Sequence, residues 1–78
     1  MIEIGGGQGA FVSFESDILE VTSPRPFAPG APLTFRVAGR ELQGKSIGSK
    51  RQPSGEFAVR MRLINVRRED RELLRSLA

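Results

Sequence analysis

Between Gly55 and Asn65 the chain reads Gly-Glu-Phe-Ala-Val-Arg-Met-Arg-Leu-Ile-Asn, and this alternation constrains the fold more than any other stretch. Phe57, Val59, Met61 and Leu63 occupy one side of a period-two pattern, and Glu56, Arg60 and Arg62 the other. Side chains on a strand alternate between its two faces, so the spacing predicts a half-buried β-strand. Asn65 closes it. A charged, leucine-bearing segment follows at helical spacing, so a long strand delivers the chain into a C-terminal helix. Everything upstream has to be accommodated around that pair.

The preceding pieces are short and strand-like. Ala10–Phe14 and Ile18–Val21 read as two strands joined by Glu15-Ser16-Asp17, a polar tripeptide suited to a tight connection. Paired carboxylates can serve acid–base chemistry or hold magnesium, but Glu15 and Asp17 lack the further convergent ligands this needs, and a turn explains them. Thr22–Pro32 places four prolines in nine positions (Pro24, Pro26, Pro29, Pro32), which forbids a regular element interior. Phe27 gives this loop an anchor, while Arg25, between two prolines, is held outward on a stiff backbone. Leu33–Val37 alternates again, with Leu33, Phe35 and Val37 inward and Thr34 and Arg36 outward. Ala38-Gly39 suits a hairpin. A further strand over Arg40–Ile47 is expected to bulge or bend at Gly44, followed by an exposed basic loop over Gly48–Gly55 that carries Lys50 and Arg51 at its tip. From 66 to 78, Val66, Leu73, Leu74 and Leu77 form one helical stripe, with Asn65 as the expected N-cap.

The first nine residues contain Gly5-Gly6-Gly7-Gln8-Gly9. Glycine-rich loops cradle phosphates where a strand enters a helix, but no Lys-Ser/Thr follows and the next stretch is strand-like. Residues 1–9 are therefore read as a flexible glycine-rich stretch and residues 10–78 as one domain. At 78 residues the core is small, and the five phenylalanines are its obvious supply.

Composition removes several chemistries. The chain has no Cys, His, Trp or Tyr, so disulfides, imidazole or thiolate metal sites and Cys/His nucleophilic catalysis are excluded. No nucleophile–base pair stands out, and neither catalytic nor metal-ligating residues are assigned. No apolar run reaches the length of a membrane span and the N-terminus lacks a signal-peptide plan, so no membrane insertion and a cytoplasmic setting are expected. Charge is unevenly spread: residues 1–24 hold four acidic groups and no basic one, while residues 25–65 hold eight basic against two acidic. A basic middle can attract phosphates, nucleic acid or an acidic protein surface.

About five to six short strands followed by one helix describe a mainly β protein, a small antiparallel β-barrel with a C-terminal α-helix. The order of pieces resembles a PilZ domain. Ile18-Leu19-Glu20-Val21 is followed by Ser23–Gly30, Pro32–Val37, Leu42-Gln43-Gly44-Lys45 and Phe57–Leu63, with Glu69–Leu74 in the place of that family's helix. The resemblance implies a role in cyclic di-GMP signalling. In the family that ligand is gripped by Arg-x-x-x-Arg ahead of the first strand and Asp/Asn-x-Ser-x-x-Gly in an early strand, arginine forks meeting phosphates and guanine edges. Here no basic residue precedes Arg25, and Ser13–Asp17 does not give the second motif. Arg36 and Arg40 spell the first motif but straddle the hairpin. Weak or absent cyclic di-GMP binding and no cofactor follow, with a protein partner favoured over a non-standard nucleotide site or nucleic acid. The candidate contact residues are Arg25, Phe27, Arg36, Arg40, Lys50, Arg51, Arg60 and Arg62.

Overall fold

The structure, a computed structural model, describes residues 2–77. Seven strands precede one helix: β1 Ile2–Ile4, β2 Gly7–Gly9, β3 Phe11–Glu15, β4 Ile18–Ser23, β5 Pro32–Val37, β6 Arg40–Arg51, β7 Phe57–Ile64 and α1 Arg68–Ser76. All pairings are antiparallel, in the order β2-β1-β5-β6-β7-β4-β3. The sheet curls until its two ends nearly meet, where the Ala10 carbonyl accepts the Thr22 N–H at 2.8 Å and Thr22 Oγ1 accepts the Ala10 N–H at 2.8 Å. The result is a nearly closed antiparallel barrel with a single C-terminal helix.

The alternation that defines β7 holds residue by residue. Val59, Met61 and Leu63 are buried and Arg60 and Arg62 exposed, and β7 lies between β6 and β4. Phe35, Val37 and Leu33 turn inward from β5, and Leu19 and Val21 from β4, so one core fills the barrel. Both expected tight hairpins form on left-handed residues. Ser16 and Asp17 adopt φ 51° and 62°, and Ala38 and Gly39 φ 51° and 79°, the handedness a two-residue hairpin requires.

The N-terminal expectation is corrected. Residues 2–9 are not a flexible stretch but a β-hairpin, and Ile2 and Ile4 are 0% and 2% exposed, among the most buried side chains present. Its glycines permit the turn. Gly5 and Gly6 take φ 63° and 79°, and a Cβ on Gly5 would lie 2.7 Å from the Cγ of Arg25, whose stem packs across the turn. Composition signals flexibility in such a stretch; two isoleucines that pair with Phe35 and Val37 outweigh it.

The β6 strand also runs further than expected, to Arg51, so Gly48–Arg51 is strand rather than loop and the connection to β7 shrinks to residues 52–56. The bulge lies between Ser46 and Gly48 and not at Gly44. Gly44 instead serves close approach: a Cβ there would lie 3.0 Å from Met61 Sδ and 3.2 Å from the Arg62 carbonyl oxygen.

At the other end the helix starts later than the leucine pattern suggests. Asn65 has φ 53° and turns the chain out of β7, so it cannot adopt the extended conformation of an N-cap; Arg67, at φ −92° and ψ 168°, does. Leu74 is fully buried, Leu73 half-buried and Leu77 42% exposed, so the helix contributes one core leucine in place of three. Polar contacts hold it otherwise. Asp70 is buried, its Oδ1 accepting Arg40 Nη1 at 2.7 Å and its Oδ2 the Arg67 N–H at 3.0 Å, while Arg71 Nε donates to Asp17 Oδ1 at 2.9 Å.

The Arg67 amide, and then the Arg40 guanidinium, hold the Asp70 carboxyl below its ordinary value of 3.8. A carboxyl lowered on folding stabilises the fold above its unfolded-chain value, and that stability is lost as pH falls through the lowered folded value. Thermal melting is therefore expected to show an Asp70-dependent decline only on the acid side of 3.8. Asp70→Asn is expected to melt lower than the parent at neutral pH and to flatten that acid limb. An unchanged acid limb in the variant would remove the helix anchor from this carboxylate.

Candidate functional site

The bulge in β6 rearranges the exterior. Before it, Leu42, Gly44 and Ser46 point inward; the extra residue then sets Ile47 and Gly48 together opposite Arg60 on the outer face. The change of phase leaves Ser49 facing in, opposite Val59. This has two consequences. The inward serines clamp the proline-rich loop: Ser46 and Ser49 hydroxyls donate to the Phe27 carbonyl at 3.1 and 3.2 Å, and Ser49 Oγ lies 3.2 Å from the Phe27 N–H. Buried Ser23 completes the clamp by donating to the Arg25 carbonyl at 2.8 Å. The second consequence is that Gly48 lies beside Ile47 on the outer face, where Ile47, an apolar residue, is 47% exposed.

The structure divides the candidate residues into three places. Arg25 and Phe27 lie in the clamped loop, Arg25 exposed and Phe27 half-buried against the core. Arg36 and Arg40 lie at the opposite, helix-bearing end. Arg36 has Glu3 on β1 and Glu41 on β6 as its cross-strand register partners, and Arg40 is ion-paired with Asp70. Lys50, Arg60 and Arg62 come together on the outer face of β6 and β7. Arg51 is the end residue of β6, opposite Phe57, on the alternate side from Lys50.

Two members of the outer face were not among the candidates, Lys45 and Ile47. Lys45 is directly opposite Arg62, and Arg60 lies opposite Gly48. The signal for Lys45 was present, since continuing the alternation from Leu42 through Gly44 places it outside. The same alternation carried through Ser46 places Ile47 outside as well, and the bulge reverses the phase only after it. The one carboxylate beside these cations is Glu20 on β4, 3.5 Å from Arg60 Nε with the arginine side chain 66% exposed. An exposed pair at that distance contributes little. Between Ile47, Lys50 and Arg60 lies a shallow cleft of about 540 Å³ with Gly48 and Ala58 among its lining residues.

Among the described residues no group of three or more carboxylates could hold a metal ion, and no helix is long and apolar enough to cross a membrane. None of the five phenylalanines presents an exposed ring: Phe14 and Phe35 are buried and Phe11, Phe27 and Phe57 pack half-buried against the core. Comparison with protein-family models, curated proteins and solved structures finds no match to this chain.

Proposed function

We propose that this chain is a PilZ-like regulatory binding module in bacterial cyclic di-GMP-type signalling or motility, acting by contact with another protein and carrying no catalysis. A small barrel with a C-terminal helix agrees with the resemblance in the order of its pieces. The observation that carries the reading is where cations and carboxylates fall on the barrel. Lys45, Lys50 and Arg62 sit on an open strand face, whereas the strands ahead of Arg25 carry Glu3, Glu15, Asp17 and Glu20 and no base. PilZ domains place their phosphate-gripping arginines ahead of that point. Nucleic acid fits less well, because single-strand binding depends on exposed aromatic platforms and the rings here face the core.

Calorimetric titration with cyclic di-GMP tests the reading. Each missing charge-assisted hydrogen bond forfeits about 1.5–3 kcal/mol. Losing two weakens a micromolar site by roughly two to four powers of ten, at about 1.4 kcal/mol per tenfold. No saturable heat is expected at micromolar ligand. Low-micromolar affinity would sink the adaptor reading. Alanine at Arg36 with Arg40, and separately at Lys50 with Arg51, would then identify the cations responsible, because the two pairs lie at opposite ends of β6.

A further inference from the structure

We infer that the outer face of β6 and β7 around Ile47 is the docking surface for an acidic protein segment with an apolar residue at its centre. The inference rests on the binding-module reading and adds the chemistry of the partner. Three features of the face point there. Lys45 and Arg62 are direct cross-strand neighbours, an arrangement in which like charges destabilise a sheet; an incoming carboxylate between them reverses the sign of that interaction. Ile47 continues the outward phase of Gln43 and Lys45, 47% exposed, beside a cleft with small residues, Gly48 and Ala58, along it. Lys50 and Arg60 border the same cleft, with Glu20 the one acidic residue among its lining. Docking then follows from complementarity. An aliphatic side chain rests on Ile47 over the cleft, and flanking carboxylates meet Lys45 and Arg62 on one side and Lys50 on the other.

Nucleic acid is the competing anion, and the face discriminates against it. Its centre is aliphatic, and no aromatic ring is exposed for base stacking.

Fluorescence anisotropy of three labelled probes tests the assignment on the whole chain: an acidic nonapeptide of glutamates with a central leucine, the same peptide with serine at the centre, and an oligothymidylate of equal charge. The leucine peptide is expected to bind most tightly, with a Kd at or below about 100 µM at low salt, and to weaken as salt rises. Arg60→Glu with Arg62→Glu is expected to weaken it at least about tenfold, and Ile47→Ser to remove the preference for leucine over serine. Arg75→Glu, in the last turn of the helix, is expected to change binding by less than about twofold, as an exposed charge on the helix and not on the β6–β7 face. Arg62→Glu converts a like-charge pair into an opposite one, so the melting temperature is expected to hold or rise while binding falls. Equal binding by parent and the double variant, equal binding of the two peptides, tighter binding of the oligonucleotide, or no peptide binding would each overturn the assignment. None of these results produces cyclic di-GMP binding, which alone overturns the adaptor reading, so the two failures are distinguishable.

Discussion

Val59→Asp is expected to abolish the cooperative melting transition or lower its midpoint by at least about 15 °C, taking roughly 4–8 °C per kcal/mol for a domain of this size. Val59 is fully buried in β7, opposite Val21 on one side and Ser49 on the other. A carboxylate at that point lies among core side chains with no cation in the interior. Burying an unpaired charge costs about 3–5 kcal/mol even after the site adjusts. Small domains have a total of about 5–15 kcal/mol, so this is a large share of it. The adjacent Arg60→Asp supplies the control. It introduces the same residue one position along, on the outer face, and is expected to cost no more than about 1 kcal/mol. Similar melting for the two variants would mean the strand is out of register, since a one-residue slip exchanges every inward and outward side chain.

That contrast also shows how much of the fold can be read from sequence alone. Where one face of a strand is buried and the other wet, the pattern is written in the residues, as in β5 and β7. Hairpins over Ser16-Asp17 and Ala38-Gly39 are legible for a different reason, the local chemistry of left-handed turns. The N-terminal hairpin was illegible because its only strand signal is two isoleucines beside four glycines, and their burial depends on β5, which lies about thirty residues along. The helix was legible in type but not in extent. Its leucine stripe does not reveal that Leu74 alone of its leucines would be fully buried, nor that a buried Asp70 bridging Arg40 and Arg67 would fix it.

The candidate site was legible in part for the same reason. Arg60 and Arg62 follow from a single strand, so the sequence places them correctly on the outside. Which cations join them depends on pairing. Arg36 has acidic register partners on both neighbouring strands and Arg40 is ion-paired with the helix's Asp70, while Lys45 is the cross-strand partner of Arg62. Ile47 lies outside in the same phase as Lys45, and the bulge, a one-residue event with no compositional mark, reverses the phase only from Ser49 on.

Gly9→Val is expected to destabilise the protein although strand propensity alone predicts the reverse. Valine is favoured over glycine in strands on a scale spanning about 1 kcal/mol, and replacing glycine also lowers the entropy of the unfolded chain. The local geometry opposes both effects. A Cβ on Gly9 would lie 1.8 Å from the Thr22 carbonyl oxygen and 2.9 Å from its carbon, and these are backbone atoms of β4 that cannot swing aside. If β2 and β4 remain in place, the overpacking costs about 1–3 kcal/mol. If they separate, the Ala10–Thr22 hydrogen bonds that draw the sheet ends together are forfeited, each worth about 0.5–1.5 kcal/mol, and Ile2 and Ile4 lose part of their cover. By either route, the propensity gain of about 1 kcal/mol leaves a net loss of up to about 2 kcal/mol. Hydrogen exchange is expected to show faster opening of the Thr22 amide than in the parent, with the β6–β7 amides still protected. A variant that melts above the parent with Thr22 protected would mean that β2 does not approach β4 closely, and that the sheet is open where the two ends are placed together.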